Sequence, residues 1–377
     1  MNQPDTILIL SSSFGQGHMA TARALASAAE AHPELNFEVK IIDFSQEVNR
    51  LFNSSSKKIY DINTKHIPTL QKLIYVSTDK SKIPIQLLNL FNYPFRKNHL
   101  KHLLRQANPK IIISNYPIWQ YLGFQISKQT FPDVDFATLI TDSISVHSSW
   151  ITPDSDYYIV PNEPTASSLH TLGVDNAKIY TLGYPVHNLF AQKESPTSIR
   201  SQLGLPTNQQ IIVFSAAALR ASYVLKVCRA IHDRYPESYI VVVAGRDQAL
   251  YEDLLDVEFF TLPTSRLVGW STDWPNYIRA ASIVITKAGG STVMECIAAS
   301  KPMIINKIIP GQEEGNAELV SRLQLGIIAI KPTEILHALE TLVTHYDDFI
   351  ERLNTEAKPK ASTDILRFLR AQLDTRK

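Results

Sequence analysis

Cysteine is the scarcest residue of this 377-residue chain, with only Cys228 and Cys296, and no CxxC spacing joins them. That argues against a zinc or disulfide framework and points to a reducing compartment, the cytoplasm. Long apolar runs are missing too. A spanning helix requires roughly 20 such residues; the longest candidate, 83–95, is broken by Pro84, Asn89, Asn92 and Pro94. No basic n-region or small-residue cleavage site precedes Thr6–Leu10, so no secretory leader is expected. Repeats and low-complexity tracts are absent. Neither common nucleotide fingerprint is met: Ala20 stands where GxGxxG needs its third glycine, and no GxxxxGK[ST] occurs. Nicotinamide-type dinucleotide binding and ATP hydrolysis are therefore not indicated. The chain also lacks a net charge of one sign; the formal total is +1, which says nothing about partners.

What is present is a soluble, globular balance of 44% apolar and 19% charged residues in a length that suits two domains. Short Ile/Val-rich runs alternate with helix-like segments: 7–10, 37–42, 111–113, 137–140, 157–160 and 179–182. After a polar stretch at 192–197, which reads as a linker, a second set follows at 211–214, 239–244, 261–262, 266–269, 283–286, 303–305 and 326–330. Continuous apolar strands separated by helices specify buried parallel sheets. The expected fold is α/β, with two doubly wound Rossmann-like domains facing across a cleft. The expected boundaries are 1–190, 191–355, and a helix over 356–377 returning to the first domain. Ligands of such sheets bind at the strands' carboxyl ends, so the loops there are read for chemistry.

Ser11–His18 joins the first strand to an Ala-rich helix and contains Gly15, Gly17 and His18. The glycines allow close backbone approach, and the helix start offers free N–H groups. A helix N-terminus disfavours imidazolium, which suits His18 to act as a neutral general base; a tight turn with a solvent-facing His is the other reading. Lys287–Glu295 follows a strand and sets Gly289, Gly290, Ser291 and Thr292 at a helix start. That is a diphosphate cradle, with Glu295 one turn on, able to accept from a ribose diol or to serve only as a helix-start carboxylate. In Ile309–Ala317, Gln312, Glu313 and Glu314 either grip sugar hydroxyls or form a capping turn. In Thr141–Trp150, Asp142 and His147 either support an acceptor pocket or form a buried structural pair.

Charge is concentrated elsewhere. Residues 57–110 hold eleven Lys/Arg against two Asp and no Glu, interleaved with Tyr60, Tyr75, Phe91, Tyr93 and Phe95. Basic residues beside apolar ones fit an anionic leaflet, with Lys97, Lys101, Phe91 and Tyr93 as candidate contacts. No nucleic-acid motif accompanies them, so no nucleic-acid partner is expected; a solvated helix face is the alternative.

Taken in order, Ser12–Met19, Pro109–Pro117, Thr141-Asp142 with His147 and Trp150, Gly183–Val186, Ile285–Thr292 and Pro310–Ala317 resemble the diacylglycerol glycosyltransferases related to plant monogalactosyldiacylglycerol synthase. These include bacterial glucosyl enzymes; the lipid II-forming N-acetylglucosaminyltransferase of peptidoglycan synthesis is a more distant relative. The resemblance implies a GT-B architecture and inverting transfer of a hexose from UDP-glucose or UDP-galactose to diacylglycerol. It implies no metal and no other cofactor, in agreement with the lack of a DxD-type motif near the diphosphate loop. Work on the cytoplasmic face of an anionic membrane follows, while the oligomeric state is left unspecified. By carry-over, His18 is the catalytic candidate, supported by Asp142 and His147. Gly289, Gly290, Ser291 and Thr292 hold the diphosphate, Glu295 the ribose, Gln312 and Glu313 the hexose, and Gly269 and Trp270 the uracil. Transfer to a polyprenyl-linked acceptor and an idle UDP-sugar sensor are the alternatives. One departure stands out. Where relatives carry a Gly-rich turn, this chain reads Ser215-Ala216-Ala217-Ala218-Leu219-Arg220, with Arg220 able to compensate at the diphosphate.

Overall fold

The computed structural model describes residues 3–13, 16–43, 46, 97–117, 120–151, 155–311 and 313–375. Gly15, Phe91, Tyr93, Gln312 and most of the basic 57–110 stretch lie outside them. The chain divides into two compact units, one of residues 1–188, 310–315 and 360–377, the other of 189–309 and 316–359. The loop 310–315, expected in the second domain, thus groups with the first. Its Gly315 lies against Ser143 and Ser145 of the same unit, with no room for a Cβ.

The first unit runs β1 (Asp5–Ser11), α1 (Gln16–Ala31), β2 (Phe37–Asp43), α2 (97–107), β3 (Ile111–Ser114), α3 (Gln120–Thr130), β4 (Asp135–Leu139), β5 (Tyr157–Ile159), α4 (Glu163–Thr171) and β6 (Ile179–Tyr180). Its strands are all parallel, in the order β2-β1-β3-β4-β5-β6. Ile7–Ile9 and Ile111–Ile113 are at most 1% exposed, as expected of strands covered on both faces. The order reverses between β1 and β3, which makes the carboxyl ends of that pair the switch point where ligands enter such sheets.

The second unit contains α5 (Pro196–Gln202), β7 (Ile211–Ser215), α6 (Ala221–Arg234), β8 (Tyr239–Val243), α7 (Gln248–Leu255), β9 (Ser265–Val268) and α8 (Trp274–Ala280). It continues with β10 (Ile283–Lys287), α9 (Gly290–Ala298), β11 (Met303–Lys307), α10 (Glu314–Arg322), β12 (Gly326–Ile328), α11 (Pro332–Thr344) and α12 (Tyr346–Glu356). The parallel order β12-β11-β10-β7-β8-β9 places its switch point between β10 and β7.

Two local expectations fail. The strand expected at 261–262 is instead the end of a 3-10 turn, Glu258–Thr261, because Phe259 turns into the core and Pro263 follows. The linker expected over 192–197 ends early, because Ser195 accepts from Ser198 N and caps α5 with Pro196 in its first turn.

A final helix, α13 (Ala361–Asp374), packs on α1 with Ile365, Leu366 and Leu369 fully buried. Each contributes about 1.5–3 kcal/mol by leaving water. The small side chains Ala22, Ala28 and Ala29 of α1 allow the close approach. Arg370 fastens the helix: Nε donates to Leu35 O (2.9 Å), Nη2 to Asn36 O (2.9 Å) and Nη1 to Asp5 Oδ2 (2.7 Å). Its guanidinium also lies 4.0 Å over the Phe37 ring. Among the described residues no helix is long and apolar enough to cross a membrane.

Candidate active site

His18 lies in the first turn of α1, immediately outside the first switch point. The first residue after β3, Asn115, closes this end of the sheet. Its N–H donates to Leu10 O (3.2 Å), and its Nδ2 donates to His18 O (2.7 Å) and Thr21 Oγ1 (2.9 Å). Thr21 Oγ1 in turn donates to His18 O (2.8 Å). The backbone of the histidine is therefore fixed from the end of β3 and from its own helix.

The ring is fixed separately. Thr141 Oγ1, two residues beyond β4, lies 3.1 Å from His18 Nδ1. Tyr116 meets the imidazole edge to face at 5.0 Å, and Trp150 lies tilted at 6.2 Å. Burial among these groups pushes His18 down to about 4, against a smaller upward pull from a hydrogen bond to the Asn115 backbone. At neutral pH the imidazole therefore carries a lone pair and no charge, as the loop position alone suggested.

Asp142 and His147 each meet a nearby residue of the same loop. Asp142 Oδ2 accepts from the indole Nε1 of the fully buried Trp150 at 2.6 Å. Desolvation raises the carboxyl to about 6, with the Trp150 bond opposing. The Trp150 ring thus lies against both Asp142 and His18. His147 is 5% exposed and caps a 3-10 turn, its Nδ1 accepting from Ser149 N at 3.1 Å and lying 2.7 Å from Ser149 Oγ. The structure gives it a local capping role. The sequence reading missed Thr141 and Asn115 as partners of His18. Both stand at strand ends, which is the signal that could have found them.

In the second unit Arg220, Gly289, Ser291 and Thr292 follow β7 and β10, the strands of the other switch point, whereas Gly269 and Trp270 follow the edge strand β9. Gly289 precedes α9 and provides no side-chain cap, so the first-turn amides meet no side-chain acceptor from it. Ser291 and Thr292 lie partly exposed on that turn. Glu295 Oε2 accepts from Trp274 Nε1 at 2.9 Å, and desolvation raises the carboxyl to about 7. Trp274 is 21 residues away with no sequence signal linking it to Glu295. Gly269 packs against Tyr251, whose ring would lie 3.4 Å from a Cβ, and Trp270 stands 59% exposed with Arg246 5.5 Å over its ring. Arg220 begins α6 without a side-chain cap and is exposed.

The remaining calls divide. Gly17 lies partly exposed in the first turn of α1. Glu313 is 5% exposed, while Glu314 opens α10 at the surface. On α2, Leu100 and Leu104 are buried and the exposed residues are Asn98, His99, His102, Arg105 and Gln106; Lys97 and Lys101 are partly covered. Among the described residues no three His, Cys, Asp or Glu side chains converge as a metal site.

Residues 18–186 match the family model for monogalactosyldiacylglycerol (MGDG) synthase, and residues 215–368 match the glycosyltransferase family 28 C-terminal domain. A processive diacylglycerol beta-glucosyltransferase of Bacillus cereus (strain B4264) is 29% identical over 349 residues, covering 89% of this chain and 85% of that protein. One from Bacillus thuringiensis (strain Al Hakam) is 27% identical over 341 residues with the same coverage. Solved structures agree in fold. A putative UDP-N-acetylglucosamine 2-epimerase from Listeria monocytogenes has a TM-score of 0.63 at 14% identity, covering 99% of this chain and 97% of that one. MurG of Acinetobacter baumannii has a TM-score of 0.59 at 10% identity, covering 97% and 99%.

Proposed function

From a chain that belongs to the MGDG synthase and family 28 glycosyltransferases, we propose the inverting transfer of a hexose from a UDP-sugar to diacylglycerol. The protein is a UDP-sugar-dependent glycosyltransferase of glycolipid synthesis, a reading that fits better than a polyprenyl-linked acceptor or an idle sensor. The names of its Bacillus relatives favour glucose over galactose. The observation that carries the catalytic reading is His18, neutral and held at backbone and ring at the first switch point.

In this reading His18 accepts the proton of the diacylglycerol hydroxyl as its oxygen attacks the anomeric carbon, and the bond to UDP breaks on the opposite face of the sugar. The amides of α9 after Gly289 and the hydroxyls of Ser291 and Thr292 stabilise the departing diphosphate, so no metal is required. Glu295 binds the ribose, Gly269 and Trp270 the uracil, and Glu313 with Gln312 the hexose. Binding is to the cytoplasmic face of an anionic membrane through the basic first-unit stretch that includes Lys97 and Lys101.

Purified protein incubated with labelled UDP-hexoses and diacylglycerol in anionic vesicles is expected to form glycolipid without added metal. No glycolipid with any UDP-hexose would end this reading. Vesicle flotation in the same preparation checks the docking, which Lys97→Glu with Lys101→Glu should weaken by about 1 kcal/mol per charge.

Glu295 makes donor binding depend on pH. Only its carboxylate accepts from both hydroxyls of a ribose, and that form grows as pH rises through about 7. Between pH 6 and 8 the affinity for UDP should therefore rise, by roughly three- to tenfold, and Glu295→Gln should flatten the profile. Calorimetric titration reads this; a flat wild-type profile would take the ribose role from Glu295.

A further inference from the structure

The glycine-poor loop after β7 is not relaxed. Ala218 has φ +65°, in the left-handed region that glycine enters without cost. Both backbone groups of this residue are held by charged side chains. Its N–H donates to Asp247 Oδ2 at 3.1 Å, and its carbonyl accepts from Lys307 Nζ at 2.9 Å. Asp247 is itself fixed as the N-cap of α7, accepting from Leu250 N.

Lys307 holds a second loop as well. Its carbonyl accepts from Ala288 N at 2.9 Å, in the turn that leads to Gly289 and α9. A β-bulge makes this geometry. Thr286 pairs with Ile305 and Lys287 with Lys307, so Asn306 is an extra residue on β11. Bulges re-aim the side chains beside them, and they collect next to ligand sites. Asn306 is 2% exposed, and its side chain is engaged by the Tyr223 hydroxyl. One residue thus ties together the two loops that flank the second switch point.

We infer that Lys307 is a donor-positioning residue, holding the Ser215–Arg220 loop and the Ala288–Gly290 turn at one spacing and standing in for the absent glycines. This rests on the reading of that switch point as the UDP-sugar site. Ala218 reaches the required backbone conformation only because Asp247 and Lys307 hold it there. The lysine also brings a positive charge to the edge of a site for a diphosphate, which the glycines it replaces could not.

The test is calorimetric titration of the full chain with UDP and UDP-glucose, without lipid, alongside thermal melts. Lys307→Met is expected to raise the Kd for UDP at least about tenfold, the loss of one charge-assisted hydrogen bond, with the KM for diacylglycerol unchanged. Lys307→Arg should stay within about threefold of wild type, because it keeps the charge and a donor. Adding Ala218→Gly to Lys307→Met should recover part of the affinity, since glycine holds the turn unaided. An unchanged Kd in Lys307→Met, or equal loss in the Arg variant, overturns the inference. Should Lys307→Met fail to fold, Asp247→Ala reads the same loop from its other side, and an unchanged Kd there overturns it equally. Failure of the wild-type chain to bind UDP would instead reject the donor reading itself.

Discussion

His18→Ala is expected to lower kcat by roughly 10²-fold or more while leaving UDP affinity within about twofold, as measured by glycolipid formation and calorimetry. The imidazole is held by Asn115 and Thr21 at its backbone and by Thr141 at Nδ1, so its removal deletes a placed base and little else. Unchanged turnover would reduce His18 to a packing residue. The pH profile separates it from its neighbours. His18 stays neutral down to about 4, whereas Asp142 loses its negative charge as pH falls through about 6. Under the proposed transfer an ionised Asp142 would stabilise the imidazolium through its local field, so the rate should fall on the acid side near pH 6. Asp142→Asn should remove that limb and leave the fall near pH 4. A limb that persists at pH 6 in the Asn variant would assign it to another group.

Arg370→Ala is expected to destabilise the first unit by about 3 kcal/mol, because it breaks three charge-assisted hydrogen bonds and leaves Asp5 without its cation. The Arg370 and Asp5 side chains are 16% and 24% exposed, so solvent screens the pair only in part. For a unit of this size the melting temperature should drop by roughly 6–12 °C. Lysine cannot reach two carbonyls and a carboxylate with one ammonium, so Arg370→Lys should recover little. A drop under about 2 °C in a calorimetric melt would mean that Ile365, Leu366 and Leu369 hold the helix without the clamp.

The fold was legible because its strands are short, apolar and separated by helix-length segments, a pattern that only buried parallel sheets satisfy. Strand positions such as Ile111–Ile113 and Tyr239–Val243 follow from burial alone. The pair at 261–262 misled, since two apolar-looking residues before a proline do not distinguish a strand from a turn. Glycine-bearing loops drew attention to His18 and Gly289 for a sound reason, namely that close backbone approach requires them. Partners were harder to see. Thr141 and Trp274 meet His18 and Glu295 only after the sheets form, across 123 and 21 residues of sequence. The proximity of Asp142 and His147 along the chain suggested a pair, but Trp150, which lies beyond both of them in the sequence, takes the carboxylate instead. The loop 215–220 looked defective for want of glycine; its repair by Asp247 and Lys307 uses residues from two other strand ends and leaves no local trace.

The position of α13 also orders events during synthesis. Its partners Asp5, Leu35 and Asn36 leave the ribosome first, and Arg370 follows 334 to 365 residues later. Everything in the second unit, a parallel sheet with its own core, is translated in between. The earlier-made unit must therefore wait with the α1 face uncovered, while the later-made one can complete itself at once. Contacts of such sequence separation form slowly, and exposed apolar surface invites aggregation meanwhile. A nascent chain stalled before residue 361 should accordingly depend on chaperones far more than the released protein does.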